Sequence, residues 1–287
     1  MNIQWYPGHM TKAKRAMKED IKLIDLIIEL VDARAPLSSR NPDIDELGKG
    51  KGRIILLNKS DLADEAGNSR WTEYFNEKGI RAIRVNCRTG AGLKLLGGAV
   101  GEACRDKIER DRKRGILNRP VRAMVVGIPN VGKSTFINSY AGKACTKTGN
   151  KPGVTKGNQW IRLNKTLELL DTPGILWPRF EDQSVGLKLA FIGSVNDDIL
   201  DRRELAAELI CHLSGRYGDA LKERYGILAG SGEKEAETGV QGLMQVARAR
   251  ACLLKGGELD LEKAAKLFLD DFRGGKLGRI TLEFPGE

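Results

Sequence analysis

"VRAMVVGIPNVGKSTFINSYAG", residues 121–142, begins as an apolar run, passes through a glycine-bounded loop and continues with helical spacing. Its centre, "GIPNVGKS" from Gly127 to Ser134, has the form G-x-x-x-x-G-K-[S/T]. Glycines at both ends let backbone N–H groups close around phosphates, and the following helix adds the positive end of its dipole. Asn130, Val131, Gly132, Lys133, Ser134 and Thr135 are therefore the expected phosphate contacts. Lys133 would neutralise the β- and γ-phosphates, and Ser134 would ligate Mg2+.

The loop alone does not choose between ATP and GTP, and four further segments fill out the candidate site. Downstream, "DTPG", Asp171–Gly174, ends the apolar run "KTLELL". Asp171 is placed to organise the Mg2+ shell through a water, and the Gly174 N–H to meet the γ-phosphate. Between the two motifs, "NKPGVTKG" offers Thr155 as the Mg2+ and γ-phosphate threonine of a mobile switch. Upstream lies "LLNKSDL", residues 56–62. The Asp61 carboxylate can accept two hydrogen bonds from guanine's ring N–H and exocyclic amine, a pair adenine does not offer. Asn58 can meet the other edge, the Lys59 stem can lie over the ring, and Ser60 completes the loop. "NCRTGAGL", from Asn86, reads either as the loop that closes on guanine O6 through the Cys87 N–H or as an ordinary turn.

Strand-like "LIIELVDARAP", "RIILLNK", "IRAIRVNC", "VRAMVVG" and "KTLELLDTPG" alternate with helical "NSRWTEYFNEKG", "GLKLLGGAVGEACRDKIERDRKR" and "VGKSTFINSYAG". That alternation predicts an α/β, doubly wound, mostly parallel sheet. After about Ile199 strand signals stop, and "DRRELAAELICHLSG", "GDALKERYG", "VQGLMQVARARACLLKG" and "LDLEKAAKLFLDDFRGG" read as amphipathic helices. The expected division is residues 1–190, with 1–22 as an N-terminal segment, followed by an all-α domain over 200–287.

The 287 residues carry a net charge of +10, unevenly placed. From Arg112 to Leu167 there are 12 Lys and Arg and no Asp or Glu; elsewhere 36 basic face 38 acidic residues. One phosphate-binding lysine does not need such a field. It suits a polyanion, most simply RNA, or else is a solvated basic face. From Ile199 onward the charge is balanced, 14 basic to 15 acidic. Nucleic-acid contact there would need local patches such as Arg248, Arg250, Arg273, Lys276 and Arg279. The five cysteines form no C-x-x-C pair, which argues against a disulfide framework or zinc site. "LIDLIIELV" contains Asp25 and Glu29 and is too short to span a bilayer, and "MNIQWYPGHM" lacks a signal-peptide pattern. The expectation is a cytoplasmic protein.

The order NKSD, NCR, GIPNVGKS, PGVT, DTPG resembles that of the circularly permuted GTPases. With the N-terminal "WYPGHMTKA", the whole chain closely resembles the ribosome biogenesis GTPase A family. The resemblance implies a circularly permuted P-loop GTPase domain followed by a helical, RNA- or ribosome-binding domain. It implies slow GTP hydrolysis to GDP and phosphate, and a bacterial factor in late assembly of the large ribosomal subunit. The implied partners are GTP or GDP and a large-subunit precursor, with its rRNA and ribosomal proteins. An RNA-remodelling GTPase, or a signalling GTPase not acting on the ribosome, is the competing reading.

In Ras-like enzymes a Gln just after D-x-x-G orients the attacking water; here that place is Ile175. Two substitutes are visible. Asn130 resembles the phosphate-loop Asn of potassium-dependent GTPases, and would then help hold K+; otherwise it is a plain loop residue. His9 matches a family histidine implicated in hydrolysis and is a candidate to position water; packing or RNA contact are its alternatives. The other histidine, His212, lies on an apolar helical face and reads as structural.

Overall fold

The computed structural model describes residues 18–117, 119–145, 159–163, 165–171, 182–227 and 235–287. These fall into two compact units, a sheet unit and a helical unit. The sheet unit contains strands β1 (Leu26–Asp32), β2 (Gly52–Asn58), β3 (Arg81–Arg84), β4 (Val121–Val126), β5 (Gln159–Arg162) and β6 (Leu167–Asp171). Their order across the sheet is β3-β2-β1-β4-β6-β5, parallel except for β5, which runs antiparallel to β6. The helices of this unit are α1 (Asp43–Leu47), α2 (Glu65–Glu77), α3 (Leu96–Ala103), α4 (Arg105–Lys113) and α5 (Lys133–Ala141).

β1 is the centre of the sheet. It pairs with β2 on one side and β4 on the other, and all seven of its residues are buried. That explains its nearly unbroken apolar run: a parallel strand covered on both faces has no solvent side to alternate towards. Ile24, Ile27, Ile44, Met124 and Leu170 share one cluster of buried side chains. Val31, Ile55, Leu57, Trp71 and Phe75 share another, in which Trp71 and Phe75 stack at 5.7 Å. One of two exceptions on β1 is Glu29, whose carboxylate meets Arg40 and Arg53, each at 3.2 Å. Burial pushes its pKa up, and the two guanidinium groups offset only part of that.

Two features depart from the sequence expectation. The helix expected from residue 92, running into a basic connector, is two helices that meet at Cys104. Gly97, Gly98 and Gly101 weaken the first of them, and α4 buries none of its residues. The short strand β5 has no clear signal in sequence, because four residues ("QWIR") carry too little alternation.

The helical unit holds α6 (Gln183–Phe191), α7 (Arg202–Arg216), α8 (Gly218–Tyr225), α9 (Glu235–Ala249) and α10 (Leu261–Arg273). Asp201 caps α7 by accepting from the Arg203 and Glu204 N–H groups, and Asp260 caps α10 through the Lys263 N–H. Gly239 and Gly242 let α9 lie close to α7: a Cβ on Gly239 would sit 2.5 Å from the Ala207 carbonyl. His212 is structural as expected, its Nε2 3.0 Å from the Leu282 carbonyl oxygen.

The unit takes in α6, and it does not include residues 283–287, which group with the sheet unit. What ties α6 to the later helices is Arg273. Its guanidinium donates to the Ala190 and Phe191 carbonyls at the end of α6 and pairs with Asp197 at 2.6 Å. Arg273 is thus bound internally, unlike the surface role its charge suggested. Arg250 and Lys276 likewise gather, with Arg224, around the Asp271 carboxylate. Among the described residues no helix is long and apolar enough to cross a membrane.

Arg273→Ala should leave two helix-end carbonyls and Asp197 without their donor, costing about 2 kcal/mol or more. Urea unfolding followed by circular dichroism should show an earlier transition for the helical unit, and an unchanged curve would mean the cap is dispensable.

Candidate functional site

Because β1, β2, β4 and β6 are parallel, their C-terminal ends open at one edge of the sheet, where ligands of α/β folds bind. The loops after Asp32, Asn58 and Val126 leave from that edge, where β6 also ends at Asp171. β4 runs into the phosphate-type loop, and α5 starts at Lys133. The Lys133 Nζ donates to the carbonyls of Gly127 at 2.9 Å and Ile128 at 3.0 Å, curling the lysine back over its own loop. Ser134 and Thr135 stand half-buried in the first turn of α5.

Asn58 ties this loop to the segments at Lys59–Asp61 and Asn86–Gly90. Its Nδ2 donates to the Val131 carbonyl at 2.7 Å, and its Oδ1 accepts from the Cys87 N–H at 3.1 Å. The close approach needs Gly132: with φ at +102°, a Cβ there would lie 2.5 Å from the Asn58 Nδ2. Ser60 joins the same assembly, its Oγ donating to the Val85 carbonyl at 3.1 Å. Asn68, on α2, donates to the Ser60 carbonyl at 2.8 Å. Asp61 is exposed. Lys59 and Asn130 both adopt the left-handed conformation, with φ of 58° and 59°, which for a lysine costs energy and is typical of residues held for function.

The Cys87 N–H has a partner the sequence did not suggest. It is given to Asn58 Oδ1 instead of standing open for a base oxygen. Its loop closes on itself: Asn86 Oδ1 accepts from the Arg88 and Thr89 N–H groups, and the Gly90 N–H donates to the Asn86 carbonyl. Burial pushes the Cys87 thiol up to about 12, so it is uncharged at neutral pH and contributes no nucleophile.

Sequence reasoning missed Asp32 and Arg34. Asp32 is fully buried at the end of β1. Its Oδ2 accepts from the Lys59 Nζ at 2.9 Å, and Arg34 grips both carboxylate oxygens at 2.9 and 2.8 Å. Burial alone would raise its pKa; Arg34 and then Lys59 outweigh that and hold the carboxyl well below the usual range. The Asp32 carboxylate therefore stays charged at neutral pH. The only sequence signal was "DAR" directly after an apolar strand, which reads equally well as the place where a strand ends.

His9, Thr155 and Gly174 lie outside the described residues, and Asp171 is described for its backbone alone, where it pairs in register with Val125 of β4. Among the described residues no group of three His, Cys, Asp or Glu could hold a metal. Mg2+ in a phosphate site needs no such cage, since it takes one or two protein ligands and fills its shell with phosphate oxygens and water. A hydroxyl in the first turn of α5 and an aspartate at the end of β6, the strand next to β4, fit that demand.

Three comparisons agree with this geometry. A family model described as "50S ribosome-binding GTPase" matches residues 122–224. The chain is 48% identical to the ribosome biogenesis GTPase A of Bacillus cereus, over 100% of this chain and 95% of that one. It is 35% identical to that of Thermotoga maritima, over 99% and 95%. Among solved structures it is similar to a GNP-bound YlqF from T. maritima, with a TM-score of 0.64 at 30% identity, covering 96% of this chain and 99% of that one. A GDP-bound YlqF gives a TM-score of 0.67 at 29% identity, over 95% and 100%. Counted from β4 instead of β1, the loop at Gly127–Ser134 would come first and NKSD later, so the early NKSD reflects a re-cut chain. The chain is a circularly permuted GTPase and belongs to the ribosome biogenesis GTPase A family.

Proposed function

We propose that this GTPase is a nucleotide-switched assembly factor for the large ribosomal subunit, stimulated by the particle it binds. The observation that carries the reading is the acid-free window, Arg112–Leu167, which contains the phosphate loop and the expected switch around Thr155. A polyanion gripping that window would be coupled to the nucleotide state. The description of the matching family and the names of the relatives support the same partner. A protein acting on such particles would work in the cytoplasm.

In this reading Lys133 leaves the Gly127 and Ile128 carbonyls for the β- and γ-phosphates, and the loop N–H groups from Asn130 to Thr135 complete the cradle. Ser134, Thr155 and Asp171 would hold Mg2+, which would supply charge neutralisation at the phosphate oxygens. Gly174 meets the γ-phosphate. Asp61 selects guanine, the Lys59 stem covers the ring, and Ser60 and Asn58 hold that loop to Val85 and Val131. Asn86 and Cys87 form the closing loop on the base side. Asn130 would help hold K+, which would supply positive charge in place of a finger arginine. His9 positions the attacking water, in place of the glutamine that Ile175 replaces. The GTP form binds the pre-ribosomal particle, and hydrolysis releases it.

Asp61→Asn should move preference from GTP towards XTP by about tenfold or more, because the carboxylate's two acceptors become one acceptor and one donor. Competition binding with both nucleotides checks this, and an unchanged preference removes the guanine assignment. His9→Ala should keep GTP affinity near that of the parent while lowering particle-stimulated turnover about tenfold or more; a loss of affinity instead would make His9 structural. Co-sedimentation with large ribosomal subunits should be stronger with a GTP analogue than with GDP and should weaken steeply with salt. Equal sedimentation in both states would sink the switch reading.

A further inference from the structure

Residues 283–287 belong to the sheet unit although the chain reaches them from the helical one. Glu283 is what fastens them. Its Oε1 accepts from the Leu37 N–H at 2.6 Å and the Ser38 N–H at 2.8 Å, while its Oε2 accepts from the Ser38 hydroxyl. Its own carbonyl accepts from the Trp71 indole N–H at 2.9 Å. Next to it, the buried Phe284 ring lies under the Arg70 guanidinium at 5.6 Å. One short stretch thus holds two elements, the loop after β1 and the helix α2.

These two elements flank the base-reading loop. The loop after β1 is closed by Ser39, whose Oγ accepts from the Asp32 N–H at 2.9 Å and donates to the Ala35 carbonyl at 2.6 Å. Asp32 in turn holds Lys59. On the other side, α2 holds the Ser60 carbonyl through Asn68. A buried carboxylate on two backbone N–H groups and a hydroxyl is a costly way to pin a tail that an apolar side chain could pin by packing. Its effect is directional: it fixes where the loop after β1 lies, and hence where the Asp32 carboxylate meets Lys59.

We propose that Glu283 is a positioning residue for guanine-nucleotide binding, acting through Ser38, Asp32 and Lys59. Residues 283–287 are then part of the nucleotide site's support, supplied from the far end of the sequence. This rests on Asn58–Asp61 being the base-reading loop.

The test is a double-mutant cycle on the full chain, titrated with a fluorescent GDP analogue. Lys59→Ala should weaken GDP binding clearly, and Glu283→Gln should weaken it about three- to tenfold, the scale of a lost charge-assisted hydrogen bond. The double variant should bind within about twofold of Lys59→Ala alone, because both act on one contact. Ser38→Ala, which removes a single hydroxyl donor, should show the same pattern at smaller size if Glu283→Gln fails to fold. Losses that multiply in the double variant, or no loss from Glu283→Gln and Ser38→Ala, overturn the positioning role alone. An unchanged affinity in Lys59→Ala overturns the base-loop reading beneath it.

Discussion

The side-chain amide of Asn58 is the contact on which the site depends. Its nitrogen donates to the Val131 carbonyl and its oxygen accepts from the Cys87 N–H, so one residue sets the spacing of three loops. Few other side chains could do this: a carboxylate has no donor and a hydroxyl is too short to bridge both. The bond to Val131 is possible only where the phosphate loop shows bare backbone, and Gly132 provides that opening. Strand order supplies the rest. β1, β2 and β4 are neighbours, so the loops following them are brought to one edge before any side chain makes a contact.

Charge buried beside that edge serves placement more than stability. Asp32, Arg34 and Lys59 form an ion cluster whose desolvation offsets much of its attraction. What the cluster gives is a single arrangement. Arg34 takes both carboxylate oxygens in a fork geometry, which leaves one direction for the Lys59 ammonium. Lys59 also accepts a left-handed backbone at that point. A lysine held by its tip and bent at its backbone has little freedom left. The Asp271 cluster in the helical unit has the same character, with Arg224, Tyr225 and Lys276 converging on one carboxylate.

Much of this was legible in the sequence. Apolar runs such as "LIIELV" and "VRAMVV" announced strands because a parallel sheet buried on both faces demands them. The loop at Gly127–Ser134 and NKSD stood out because the chemistry they suggest fixes residue types at fixed spacings. The four-residue strand β5, lacking period and length, was not. Nor was the break at Cys104, since helix propensity alone favours continuing through residues 92–114. Asp32 and Glu283 were illegible for a deeper reason. Each is an ordinary acidic residue locally, and gains meaning only from partners brought near by the fold: Lys59 is 27 residues from Asp32, and Ser38 is 245 from Glu283. The amide of Cys87 was read as facing a ligand because sequence cannot show that Asn58 reaches it first.

The re-cut strand order also decides what the ribosome that makes this protein produces first. β1, β2 and β3 leave the exit tunnel before β4, so the base-reading half is synthesised without the phosphate loop. Until residues 121–126 arrive, one edge of β1 has no neighbour, with the backbone groups of Leu26–Glu29 unpaired on that side. β4 must then insert against a strand already made, and the Asn58–Val131 bond closes across 73 residues. A nascent chain of this order holds its specificity loop before it has any means of gripping a phosphate, so nucleotide can assist only the later part of its folding.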